Sequence, residues 1–229
     1  MHLTEYEWQA VALSLKVSLW AVVCSLPLGI LVAWVLVRCR FPGKSLVDGI
    51  IHLPLVLPPV VIGYLLLIAM GRRGVIGSWL YQLTGFSFSF SWQGAALASA
   101  VVAFPLMVRA IRMSLDAIDL RLEQAARTLG AGPWRVFFTI TLPLCFPGIV
   151  VGTVLAFARS LGEFGATITF VSNIPGETRT IPLAMYTLIE TPGAEGAAAR
   201  LCVLAILLSL ASLLIADALA GWGRKRLGG

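Results

Sequence analysis

Five long stretches of this chain carry no acidic or basic side chain, and that constrains its fold more than any other feature. Val17 to Val37, Gly49 to Gly71, Gly74 to Val108, Val136 to Ala158 and Leu201 to Ala216 lack Asp, Glu, Lys and Arg. A helix needs about 20 predominantly apolar residues to cross the hydrocarbon of a bilayer. Across the chain 59% of residues are hydrophobic and 12% are charged, about half the charged share of an ordinary soluble domain. The expectation is an all-α membrane protein, one domain over residues 1–229, with spans near 14–37, 49–70, 92–112, 139–160 and 198–220. The fifth span reaches full length only by running past Arg200 and Asp217. The first run does not read as a cleavable leader, because it is too long and contains Trp20, Pro27 and Trp34.

The net charge of +6 reports orientation. A nucleic-acid binder would gather its charge on one water-facing surface. With the N-terminus placed outside, eleven of the 17 basic residues fall on the inner side, from Arg38, Arg40 and Lys44 to Arg224, Lys225 and Arg226. Five acids share that side, so it holds the whole net charge. This is the positive-inside bias. It predicts a multi-pass protein with its C-terminus in the cytosol. Cys24, Cys39, Cys145 and Cys202 are scattered, with no Cys-x-x-Cys, and read as free thiols. Gly43-Lys44 belongs to no phosphate-binding loop, since Arg38 stands where the first glycine would be. His2 and His52 are the only histidines. Neither a catalytic set nor a metal site is expected, and no cofactor bound by this chain.

Pro54, Pro58 and Pro59 break helix hydrogen bonding inside the second span. Broken backbone at membrane depth is tolerated inside protein or along a watery cavity. The span therefore lines a pathway or is a kinked packing helix. Gly71 to Trp92 reads as an outer hairpin or interfacial segment, with Phe86-Ser-Phe-Ser-Phe90 as an aromatic belt. Gly148-x-x-x-Gly152 permits close helix approach, expected here for packing within the chain.

Between the third and fourth spans lies a charged stretch. Ile118, Leu122, Ala125, Ala126 and Leu129 form one helical stripe. Asp119, Glu123, Gln124 and Arg127 fall mostly off it. Gly130 and Gly132-Pro133 stop the helix. An amphipathic helix over about 118–130 is expected at the inner membrane surface. A second polar stretch, Arg159-Ser160-Leu161-Gly162-Glu163, places Arg159 and Glu163 on one helix face. Arg159, Ser160, Glu163 and Thr167 are candidates for a pathway or gate, with a structural ion pair as the favoured alternative.

The spacing Glu123-x-Ala125-Ala126-x-x-x-Gly130, then Ile140-x-Leu142-Pro143, resembles the coupling motif of permease subunits in binding-protein-dependent ABC importers. Phe41-Pro-Gly-Lys44, Leu53-Pro-Leu-Val-Leu-Pro-Pro59, Ser160-Leu-Gly-Glu-Phe-Gly-Ala-Thr167 and Asn173-Ile-Pro-Gly-Glu-Thr-Arg-Thr-Ile-Pro182 resemble permeases of bacterial molybdate importers. Sulfate and thiosulfate permeases share much of the coupling region. The resemblance implies a type I importer core of five spans in the bacterial inner membrane. Its implied partners are a second copy of the chain, two cytosolic ATPase subunits that bind ATP and Mg, and a periplasmic molybdate-binding protein. It assigns coupling to Glu123, Ala125, Ala126 and Gly130, and makes Ile140, Leu142 and Pro143 the seat of the fourth span. A passive channel and an inert membrane-anchor subunit remain as alternatives of other classes.

Overall fold

The computed structural model describes residues 4–227. The side chains of the basic stretch Arg224 to Arg226 lie outside the described ones. All regular structure among the described residues is helical. Helix α1 (Glu5–Arg38) starts at a capping box. The Thr4 hydroxyl accepts from the Glu7 amide at 3.3 Å, and Glu7 Oε2 accepts from the Thr4 amide at 2.7 Å. The helix starts earlier than the expected span and is about 51 Å long at 1.5 Å per residue, well beyond the hydrocarbon thickness.

The expected proline-broken span over 49–70 is two helices. α2 (Lys44–His52) runs into a 3-10 turn (Leu53–Leu55), and α3 (Pro59–Met70) follows at a bend of 112°. The prolines cause this. Pro59 pushes the preceding Pro58 to an extended ψ of 134° and itself starts α3. At 12 residues, α3 is about 18 Å long and cannot cross a bilayer by itself. α4 (Val75–Thr84) occupies part of the stretch read as a hairpin and ends at Gly85, whose φ of 70° gives a left-handed cap.

α5 (Trp92–Asp116) is the hub. Among the described residues it is the most buried of the four helices long and apolar enough to span a membrane. Ala95, Ala98, Val102, Ala103, Met107, Val108, Ile111 and Leu115 pack inward from it. α6 (Leu120–Thr128) and α7 (Pro133–Val136) lead through a π-helical turn (Phe137–Thr141) into α8 (Leu142–Leu161). A Cβ on Gly148 would overlap the Ser114 side chain of α5, and one on Gly152 would lie 2.9 Å from the Met107 carbonyl oxygen. The glycine pair thus joins α8 to α5 within the chain.

α9 (Gly165–Val171) and α10 (Ile181–Ile189) are short, and α11 (Glu195–Leu227) closes the fold. α9 rests on α3 through Gly63, where a Cβ would stand 2.5 Å from the Ala166 carbonyl oxygen. At the N-terminal end of the bundle, fully buried Glu7 accepts from Arg200 Nε at 2.9 Å, which ties α1 to α11. The outward faces of α1 and α11 are apolar, with Leu19, Val23, Leu28, Ile206, Leu210 and Leu214 all exposed. In a bilayer those faces meet lipid tails.

Candidate functional site

α6 is capped at both ends by its own sequence. The Asp119 carboxylate accepts from the Arg121 amide at 2.9 Å. At the other end Gly130 takes a φ of +84°, and the amides of Gly130 and Ala131 donate to the carbonyls of Arg127 and Ala126 at 3.0 Å each. These bonds satisfy carbonyls that a helix end leaves free. Gly130 is therefore the stop that the sequence predicts, just outside the helix. Ile118 also lies outside it, in the preceding turn.

The sequence leaves open which face of α6 meets the rest of the chain, and it is the charged one. Glu123 is the one residue of α6 that is buried, at 6% exposure. Leu122 and Leu129 are 50% and 88% exposed. Ala125 is open as well, and Ala126 is half-buried. Of the apolar stripe, Ile118 is packed in the core and Ala126 is half-buried, whereas Leu122, Ala125 and Leu129 face away from the chain and the carboxylate faces into it. The carboxylate faces a cation at the end of α1. Arg38 donates to Glu123 Oε1 from Nη2 at 2.8 Å and from Nε at 3.2 Å. Its Nη2 also reaches the Leu115 carbonyl at 3.3 Å.

A third donor is Thr141. Its hydroxyl, in a residue 1% exposed, reaches the same Oε1 at 3.0 Å. Neither Arg38 nor Thr141 stands out in the sequence as a site residue. The residues expected to seat the fourth span lie where α8 begins. Ile140 is half-buried within the π turn, Leu142 is the first residue of α8, and Pro143 is exposed. The Leu142 amide bonds back to the Phe137 carbonyl, the five-residue step of a π turn. Pro143 has no amide to donate into the preceding turn, so regular helical bonding is interrupted where Thr141 meets α6.

A second ionic cluster sits at the same end of the bundle. Asp48 of α2 pairs with Arg112 of α5 at 2.8 Å, and His52 Nδ1 lies 2.9 Å from the Asp48 carbonyl oxygen. It ties the first half of the broken span to α5.

The gate candidates gather at the far end of α8. Twenty residues separate the two ends, about 30 Å of helix. Arg159 Nη1 is 2.8 Å from Glu163 Oε2. That contact is an ion pair, and Oε2 accepts no hydrogen bond among the described residues. Glu163, 2% exposed, accepts from the Ala166 amide at 2.8 Å through Oε1 and so holds the first turn of α9. The Thr167 hydroxyl donates to the Phe164 carbonyl at 2.8 Å. Ser160 is buried with no hydrogen-bond partner among the described residues.

Three kinds of relative match this chain. The family described as binding-protein-dependent transport system inner membrane component matches residues 25–227. The molybdenum transport system permease protein ModB of Escherichia coli K12 is 71% identical over 228 residues, covering 100% of both chains. Its namesake in Haemophilus influenzae is 68% identical and covers 97% of each. Among solved structures, a bacterial ABC transporter involved in import of the acidic polysaccharide alginate superposes with a TM-score of 0.70 at 20% identity. That match covers 97% of this chain and 80% of the other, and at such identity it speaks for the fold alone. Its fold agreement and the two full-length relatives concur with the family match: the chain belongs to the binding-protein-dependent transport system inner membrane components.

Proposed function

We propose that this chain is the membrane-spanning, pathway-forming subunit of an ATP-driven importer that carries molybdate from a periplasmic binding protein into the cytosol. The observation that carries the reading is identity of 71% along the whole chain to a molybdenum transport permease. The chain is the permease component and not the ATPase. ATP and Mg belong to two separate cytosolic ATPase subunits, and a second copy of this chain completes the pathway. The bent pair α2–α3 counts as one of five spans. The N-terminus lies outside and the C-terminus in the cytosol, in keeping with the eleven basic residues on the inner side.

In this arrangement α6 is the coupling helix. Its exposed face, with Leu122, Ala125 and the following Leu129, seats in a groove of the ATPase. The small side chains of Ala125 and Ala126 let the two surfaces approach, and Gly130 ends the helix. ATP can shift the permease equilibrium only by favouring one arrangement of these helices over the other. Leu129→Asp places a charge on the docking face, and the purified chain should then retain its ATPase about tenfold less tightly. Co-purification at normal affinity would count against α6 as the docking element.

Arg159 and Glu163 are assigned to structure. Arg159→Ala should lower the yield of folded protein while leaving the preference among oxyanions as it was, read by competition uptake. A change of preference at normal yield would move the pair into the pathway.

The function is tested with ATP-driven uptake of labelled molybdate into vesicles that hold this chain, its ATPase and its binding protein, with sulfate as competitor. Uptake that needs ATP and resists excess sulfate supports the reading. Sulfate-sensitive uptake moves it to the sulfate branch, and uptake without ATP discards it.

A further inference from the structure

We propose that Arg38 and Thr141 are positioning residues that make α6 move as one piece with α1, α5 and α8; this rests on the transporter function proposed above. A single carboxylate oxygen, Glu123 Oε1, gathers donors from Arg38 at 2.8 Å and 3.2 Å and from Thr141 at 3.0 Å. Arg38 lies in the last turn of α1 and also holds the Leu115 carbonyl near the end of α5. Thr141 is the last residue of the π turn that opens α8. Four helices therefore meet at one ionic contact, in a chain where no other residue of α6 is buried.

The covalent connection between α6 and α8 is the softer link. It passes through Gly130, at a φ of +84°, and Gly132, positions where backbone freedom is greatest. The side-chain contact runs in parallel with it and is stiff. The side chains of Arg38 and Glu123 are 14% and 8% exposed, so water and salt screen the pair little. A guanidinium offers donors in a fixed planar fork, which fixes orientation as well as distance. Force applied to the exposed face of α6 thus reaches three spans through Glu123. The ATPase touches α6; Arg38 and Thr141 act through it and need touch neither nucleotide nor oxyanion.

The test uses the whole transporter in vesicles and reads molybdate taken up per ATP hydrolysed. Arg38→Gln should lower that ratio about tenfold, within the span of ordinary coupling energies. Thr141→Val, which removes one neutral donor at nearly constant shape, should lower it about threefold. Arg38→Lys should restore part of the loss, since an ammonium can meet Glu123 but lacks the fork that also reaches Leu115. Wild-type uptake per ATP in assembled Arg38→Gln and Thr141→Val transporters, even at poor yield, would reduce the contact to a scaffold and overturn the inference. Should Arg38→Gln fail to assemble, the uncharged Thr141→Val variant decides by the same ratio. Absence of ATP-dependent uptake in the wild-type vesicles is a separate failure. It removes the transporter reading, and this inference with it.

Discussion

Replacing Glu123 with alanine should destabilise the chain by about 3 kcal/mol, the lower part of the range for breaking a buried ion pair, and nearly abolish coupled uptake. The variant strands Arg38, whose side chain is 14% exposed in the intact protein, and leaves the Thr141 hydroxyl without its acceptor. Partial exposure lets the arginine turn toward water, which keeps the cost from the upper end. Insertion should survive, because the five apolar runs are untouched. Glu123→Gln separates the two contributions: the amide oxygen still accepts from Thr141, whereas the charge is gone. Its stability should fall between the wild type and the alanine variant. Thermal unfolding in detergent and uptake in vesicles check both variants. An alanine variant as stable and active as the wild type would mean that the buried pair has no role in holding α6.

The second large effect is expected at Gly148. A leucine there should cost about 3 kcal/mol, at the top of the usual range for overpacking, because the obstruction begins at the first side-chain atom. The Cβ itself would overlap Ser114 Cβ and stand 2.8 Å from its hydroxyl oxygen. Ser114 cannot swing its Cβ aside, so α8 must move away from α5, the helix that organises the bundle. Gly148→Ala should already lower the yield. Pairing it with Ser114→Gly should recover most of the loss, since the second change vacates the space that the first fills. Failure of that double variant to recover would place the constraint elsewhere, in the backbone or on a second copy of the chain.

The pattern of apolar runs located the long helices, since the number of residues needed to cross lipid leaves few alternatives. The prolines of the second span announced a break, but the 112° bend depends on what α2 and α3 pack against and has no local signature. The ends of α6 were readable from Asp119 and Gly130, because caps are short-range chemistry. Which face of α6 turns inward was not. Periodicity shows a stripe but not whether it meets the protein, lipid or a partner, and an arginine 85 residues away draws the charged face inward. Thr141 escaped notice for a related reason. A threonine inside an apolar run commonly bonds to its own helix, and only the π turn aims this one at a neighbour. Arg159 and Glu163, four residues apart, were found as a pair, whereas Glu163 as the cap of α9 required the chain to turn back after α8.

The central place of α5 has a consequence for how the protein is made. Of the four long helices it is the least apolar and the most enclosed, and it carries Ser99 and the alanine-rich face that the other helices cover. More of its surface packs against neighbours than is the case for the other three. α1 emerges from the ribosome before it, but α8 and its glycines emerge after it. During synthesis α5 should therefore wait half-covered, its packing completed only when the later helices arrive.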